Sequence, residues 1–307
     1  MLIKNLIPDE FSSTFQAAHI FNTVAFAQLN SDKVDRVHYL SFNDPKPCFG
    51  IVLGESNGML RSPFSAPFGG FLENGTHRLE RLEKAVDMLV DYAKERSLKL
   101  LITLPPLLYD ETKISKWVSV MTRKMQLSYI NLNYHLDISR MPYYRSVIDR
   151  SARNHLNQAL RQNYCLHKLN SANRDDVARV YNVICCNHKE RGFPLRMTFE
   201  QVWQTVSNVI SADFFVLEHE GVDVAAAQIF HVADGIAQVV YWGDIRQYAK
   251  LRPMNYLAYS LLRYYYDQGL RVLDIGPSTE NGMPNYGLCE FKENIGCSVT
   301  MKYSFEL

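Results

Sequence analysis

Long apolar runs are missing from this sequence. No stretch approaches the roughly 18 uninterrupted apolar residues of a membrane-spanning helix. The opening MLIKNLIPDEF has one lysine and too short an apolar run for a secretory signal. The expectation is a cytoplasmic protein without a membrane span. Cysteines at metal or redox spacing are missing as well. Cys48, Cys165, Cys185, Cys186, Cys289 and Cys297 form no C-x-x-C pair and two are adjacent, which suggests neither a zinc ribbon nor a disulfide framework. Reduced, buried thiols and no metal site are expected. An excess of charge is also missing, because 33 Lys and Arg face 32 Asp and Glu. That excludes bulk attraction to nucleic acid or an anionic membrane and leaves only a local basic groove. Finally, there is no G-x-S-x-G, H-E-x-x-H, G-x-x-x-x-G-K-[ST] or G-x-G-x-x-G, so none of the chemistries tied to those motifs is indicated.

What is present is an internal repeat. Length and a 47% hydrophobic content suit one large or two medium domains. VDYAKERSLKLLITLPP (Val90 to Pro106) reads as the end of an amphipathic helix, a turn and a buried strand, and LRYYYDQGLRVLDIGPS (Leu262 to Ser278) reads the same way. Setting Leu98 on Leu270 also pairs Tyr92 with Tyr264, Lys99 with Arg271, Leu101 with Leu273 and Pro105 with Pro277. Upstream, turns at Asn57-Gly58 and Asp234-Gly235 each open an extended run ending in glycine. Downstream, INLNYHLDI and VTMKYSFEL alternate as strands, with Tyr134 matching Tyr303. Each half is therefore expected to hold opening helices, an antiparallel meander, a long helix, a strand, a short helix and a closing strand. The expected domains are 1–141 and 142–307. A helix is expected from about Tyr143 to Arg161. With Arg145, Arg150, Arg153, Arg161 and Lys168 it reads either as a solvated face or as a groove for an anionic ligand.

This order of elements, given twice, resembles the GNAT acyltransferase fold in tandem, as in the Fem-type peptidyltransferases and related acyltransferases of bacterial cell-envelope gene clusters. The matching residues are Arg252, Pro253 and Asn255 before a helix, Asp274 and Gly276 ending a strand, and then Gly287, Leu288, Phe291, Lys292 and Gly296 in GLCEFKENIG. RSARNHLNQAL and HKERGFP also look like parts of that family. The resemblance implies an α/β (α+β) fold of two GNAT-like domains, each a mixed, mostly antiparallel sheet flanked by helices, with the active cleft in the second. It implies that Lys292 stabilises an oxyanion, whereas the residues alone also allow a surface lysine on a short helix.

The glycine-rich phosphate loop of ordinary GNAT enzymes has no counterpart here. RQYAKLRPMN (Arg246 to Asn255) contains no glycine, and GGFLENGTHRLERLEK lacks the full loop as well. Lys250, Arg252 and Asn255 at the helix start are instead candidates to hold donor phosphate through side chains. Asp274 is a candidate general base, or equally a cap for the following turn. Tyr241, Trp242, Phe291, Asn285 and Phe68 are candidate cleft residues, Phe68 through the loop SPFSAPFGGF. The leading expectation is N-acyl transfer from acyl-CoA, as a substrate with no bound cofactor, to a small-molecule or cell-envelope-precursor amine. The rivals are an aminoacyl-tRNA-dependent transferase using the arginine-rich segment and a non-catalytic protein that kept the fold.

Overall fold

Tight turns organise the strands. Asn57 and Gly58 both take positive φ (52° and 71°), as a type I′ hairpin requires, and Gly235 (65°) serves the second hairpin. The computed structural model describes residues 1–307. In chain order the elements of the first half are β1 (Leu2–Asn5), α1 (Pro8–Thr14), α2 (Val24–Leu29), β2 (Arg36–Asn43), β3 (Pro47–Ser56), β4 (Met59–Ser62), β5 (Phe71–Glu73), α3 (Leu79–Glu95), β6 (Lys99–Thr103), α4 (Glu111–Lys124) and β7 (Gln126–Asp137). There follow α5 (Tyr144–Val147), α6 (Arg150–Ala159), β8 (Tyr164–Leu169), α7 (Arg174–Arg191), α8 (Phe199–Asn208), β9 (Ala212–His219), β10 (Val222–Ala233), β11 (Ile236–Asp244), α9 (Pro253–Asp267) and β12 (Val272–Pro277). The chain closes with the two-residue strands β13 (Thr279–Glu280) and β14 (Met283–Pro284), then α10 (Tyr286–Asn294) and β15 (Ser298–Glu306).

The chain forms two units. Met1–Leu132, Thr279–Met283 and Thr300–Leu307 make the first, and Asn133–Ser278 with Pro284–Val299 make the second. In the first, strands run β1-β2-β3-β4-β6-β15, with β5 also on β3. Helix α3 buries Leu82, Ala85, Val86, Leu89, Val90 and Ala93, one stripe at helical spacing, in a core with Leu40, Ile51, Leu53, Trp117 and Phe305. In the second unit the order is β7-β12-β11-β10-β9-β8. Pro253 opens α9 at a position where its missing N–H costs nothing, and Gly269 (φ 74°) ends it.

The closing strands are exchanged. β15, from the second half of the sequence, pairs β6 antiparallel in the first unit, Phe305 opposite Ile102. The end of β7, from the first half, pairs β12 in the second unit, Leu136 opposite Leu273. The two strands share one alternation pattern, so pattern alone does not say which partner each takes.

One expected element differs. The helix expected from Tyr143 to Arg161 is broken in two, because Ile148 is extended (ψ 152°) and Asp149 caps the next helix by accepting from Ser151 N at 2.6 Å. The segment GLCEFKENIG lies mostly in α10, the expected short helix, capped by Asn285, whose side chain accepts from Leu288 N at 3.1 Å.

Candidate active site

The second unit contains a parallel pair that begins as a ladder and then opens. β11 and β12 are in register only at Ile236–Val272, Ala237–Leu273 and Gln238–Asp274. Beyond Gln238, β11 continues to Asp244 paired with β10 on its other side, so its edge toward β12 is unpaired. Helix α9 connects the two strands, and in such a crossover the helix N-terminus lies at the carboxyl ends of the strands, where this opening is.

Asp274 and Gly276 shape the β12 arm. Asp274 is fully buried, and its carboxylate accepts from Asn133 Nδ2 (2.7 Å), Gln238 Nε2 (2.7 Å) and Gly276 N (2.8 Å). Gly276 has φ 74°, and the β12–β7 register shifts between Asp274 and Gly276. Successive carbonyls of a regular strand point in opposite directions. This bend instead brings three together on one ammonium: Lys292 Nζ donates to the carbonyls of Ile275 (3.0 Å), Gly276 (2.9 Å) and Pro277 (3.1 Å). Lys292 is 2% exposed and its Nζ stands 5.4 Å from the centre of the Tyr134 ring. Burial pulls its pKa down to about 8, against the opposing pull of nearby groups that include the Asp274 carboxylate.

An ammonium has three hydrogens, and all three are engaged. An incoming oxyanion meets Lys292 only by displacing one of these carbonyls. Asp274 is enclosed in the same way, buried with both carboxylate oxygens accepting, and its bond from Gly276 N ties it to the bend.

Tyr241 and Trp242 are neighbours on β11 and therefore face opposite sides. Tyr241 packs edge-on against His188 of α7 (5.5 Å), and burial raises its hydroxyl above the usual range. Trp242 packs against Phe291 of α10 (5.9 Å, 66°), so only Trp242 and Phe291 are brought together. Asn187 of α7 fastens the end of β11 by donating from Nδ2 to the Asp244 carbonyl (2.6 Å), and Arg191 Nη2 binds the Asp244 carboxylate (2.6 Å).

At the α9 N-terminus, Arg252 sits in the left-handed region (φ 61°) and no side chain caps the helix. A non-glycine residue there is uncommon and points to a local demand on the backbone. Arg252 is half-buried, its Nε has no partner, and Lys250 is exposed. The carbonyls of Lys250 and Leu251 accept from Gln158 Nε2 (2.8 Å) and Tyr164 Oη (3.0 Å), which fixes the loop. Asn255 N turns back to the Arg252 carbonyl (3.2 Å), and its side chain is half-buried.

Phe68 lies elsewhere, in the first unit, with no exposed surface. It packs against His19, Phe21 and Tyr109 at 4.9, 5.1 and 4.7 Å. Its loop closes on the parallel pair β4–β6, with Gly69 N on the Thr103 carbonyl (2.9 Å) and Gly70 N on Ser62 Oγ (3.0 Å). Phe68 is thus a core residue and not a lining one, and Asn285 is occupied in capping α10.

Compared with solved structures, the chain aligns over 100% of its length, and 97% of the other, with FemX at TM-score 0.69 and 11% identity. The chain shares the fold of FemX and of a tandem GNAT protein. L-PGS from Bacillus licheniformis aligns over 98% of this chain and 92% of its own (TM-score 0.58, 11%). A tandem GNAT protein from the clavulanic acid biosynthesis pathway aligns over 100% and 98% (TM-score 0.55, 11%). No protein-family model matches the sequence, and no curated protein matches it. On this GNAT frame the residues missed in the sequence are Asn133 and Gln238, which clasp Asp274, and Tyr134, whose hydroxyl donates to Glu293 Oε1 (2.9 Å). Tyr134 was visible as the partner of Tyr303 in the repeat, but nothing in its spacing marked it as a neighbour of Lys292. No helix is long and apolar enough to cross a membrane.

Proposed function

We propose that the chain is an N-acyltransferase that moves an acyl group from acyl-CoA to an amine in the opened β11–β12 pair of the second unit. The observation that carries this is the parallel pair that stops after three residues and leaves the β11 edge unpaired at the N-terminus of α9. Backbone N–H groups on such an edge suit a thioester carbonyl and the oxyanion that forms from it. The uncapped helix terminus, with Lys250, Arg252 and Asn255, suits the donor's phosphates. The amine nitrogen attacks the thioester carbon, the C–S bond breaks, and the departing thiolate takes the amine proton. Lys292 acts by holding the β12 arm in its bend. It serves as an oxyanion donor only by exchanging a carbonyl. The acceptor is a small-molecule or cell-envelope-precursor amine.

Release of free thiol from acetyl-CoA or longer acyl-CoAs, dependent on an added amine, is the expected result. No thiol release across broad acyl and amine panels overturns the reading. One observation favours a second donor: the glycine-free loop has two of its carbonyls tied down and offers side chains in place of a backbone cradle. Transfer from aminoacyl-tRNA without thiol release selects that donor instead.

A further inference from the structure

The first unit holds a polar groove that acyl transfer does not use. It encloses about 760 Å³ between strands β1, β2 and β3 and one side of α3. At its floor His38 is 2% exposed and has both ring nitrogens occupied: Nε2 is 2.7 Å from Glu55 Oε2, and Nδ1 is 3.1 Å from Tyr92 Oη. One tautomer satisfies both contacts. Nε2–H donates to Glu55, and the Tyr92 hydroxyl donates to Nδ1. The Tyr92 oxygen then turns its lone pairs outward, and Glu55, with 30% of its side chain exposed, keeps its second oxygen free.

Two further charges line this groove and are unpaired. Asp91, next to Tyr92, makes no hydrogen bond or ion pair, and neither does the guanidinium of Arg36, although Arg36 lies directly opposite Glu55 in the β2–β3 ladder. Arg96 is already engaged, stacked 3.7 Å from the Tyr92 ring centre and 3.6 Å from Glu95. The groove therefore offers a fixed set of acceptors beside a single unpaired guanidinium, with Ile3, Met88 and Leu98 as its apolar wall. One guanidinium is too little for a polyphosphate, and the Tyr92 face is covered, so a nucleobase has nothing to stack on. Residues directly opposite in an antiparallel pair have Cβ atoms roughly 5 Å apart, a span that matches groups on one α-carbon.

We propose that this groove binds a free α-amino acid, its ammonium on Glu55 and Asp91, its carboxylate on Arg36, and an apolar side chain against Met88 and Leu98. The site does not depend on the acyl-transfer reading and stands or falls separately.

The test is calorimetric titration of the full chain with leucine, N-acetyl-leucine and leucinamide. Saturable binding of leucine that weakens at least tenfold when either end is blocked is expected. Arg36→Ala should weaken leucine at least tenfold and leave leucinamide unchanged. Glu55→Gln, which keeps an acceptor for His38, should weaken leucine and leave N-acetyl-leucine unchanged. Absence of saturable binding at millimolar leucine overturns the proposal, as does binding indifferent to Arg36→Ala and to both blocked forms. Arg36 is exposed, so its variant folds and decides the matter even if Glu55→Gln does not.

Discussion

Lys292 Nζ donates to the Gly276 carbonyl at 2.9 Å, a contact made possible by the positive φ of Gly276. Lysine and glycine together lock the end of β12 away from β11. Replacing Lys292 by Met removes the buried cation and the three hydrogen bonds it donates to the carbonyls of Ile275, Gly276 and Pro277. The expected loss is about 3 kcal/mol, since each unsatisfied buried group costs roughly 1–3 kcal/mol and the bend can relax in part. Urea unfolding of wild type and Lys292→Met measures it. An unchanged midpoint would show that the carbonyls are satisfied otherwise.

Burial sets the pH dependence of the same group. Folded Lys292 titrates at about 8, while the unfolded chain keeps the usual lysine value of 10.5. Between these values the unfolded state binds more protons, so the contribution of Lys292 to stability rises with pH across that window and is flat below about 8. The stability difference between wild type and Lys292→Met should therefore grow from pH 8 to 10.5. A difference that shrinks with pH contradicts the burial argument.

Two glycines should respond differently to alanine. At Gly276 a Cβ meets nothing within 4 Å, so Gly276→Ala carries only the left-handed backbone cost, about 1–2 kcal/mol. At Gly243 a Cβ falls 2.3 Å from the Asn187 side chain, so Gly243→Ala must push out the group that holds the Asp244 carbonyl, at a cost of about 3 kcal/mol. Adding Asn187→Ala to Gly243→Ala should recover part of the loss but add to the loss in Gly276→Ala. Strict additivity in both pairs would contradict the packing described.

Tyr134→Phe keeps the ring beside Lys292 and deletes the hydroxyl bond to Glu293. Glu293 is exposed and regains water, so the expected loss in thermal or urea unfolding is about 1 kcal/mol. A loss as large as that of Lys292→Met would move the centre of the network from the lysine to the tyrosine.

The repeat made much of this architecture readable, because hairpin turns at Asn57-Gly58 and Asp234-Gly235 and the matched segments around Leu98 and Leu270 report local structure, which sequence encodes locally. The exchange of β7 and β15 depends on partner choice between strands of equal pattern and left no local trace. The break at Ile148 was hidden because the Tyr143–Arg161 segment keeps a helical pattern on both sides of the Asp149 cap. Lys292 was singled out in the sequence, but the fate of its three hydrogens depends on a bend at Gly276, sixteen residues earlier. The inward turn of Phe68 followed from β4 ending at Ser62, where the corresponding β11 runs on to Asp244.

The most direct test of the opened β11–β12 pair as the reaction site is thermal unfolding of the intact protein with acetyl-CoA and longer acyl-CoAs, for wild type and Arg252→Ala. A ligand that binds only the folded chain, at about 100 times its dissociation constant, adds roughly 2.7 kcal/mol of stability. The account predicts a rise in Tm with acyl-CoA that Arg252→Ala abolishes. No rise with any acyl-CoA, or a rise that Arg252→Ala leaves intact, would contradict it.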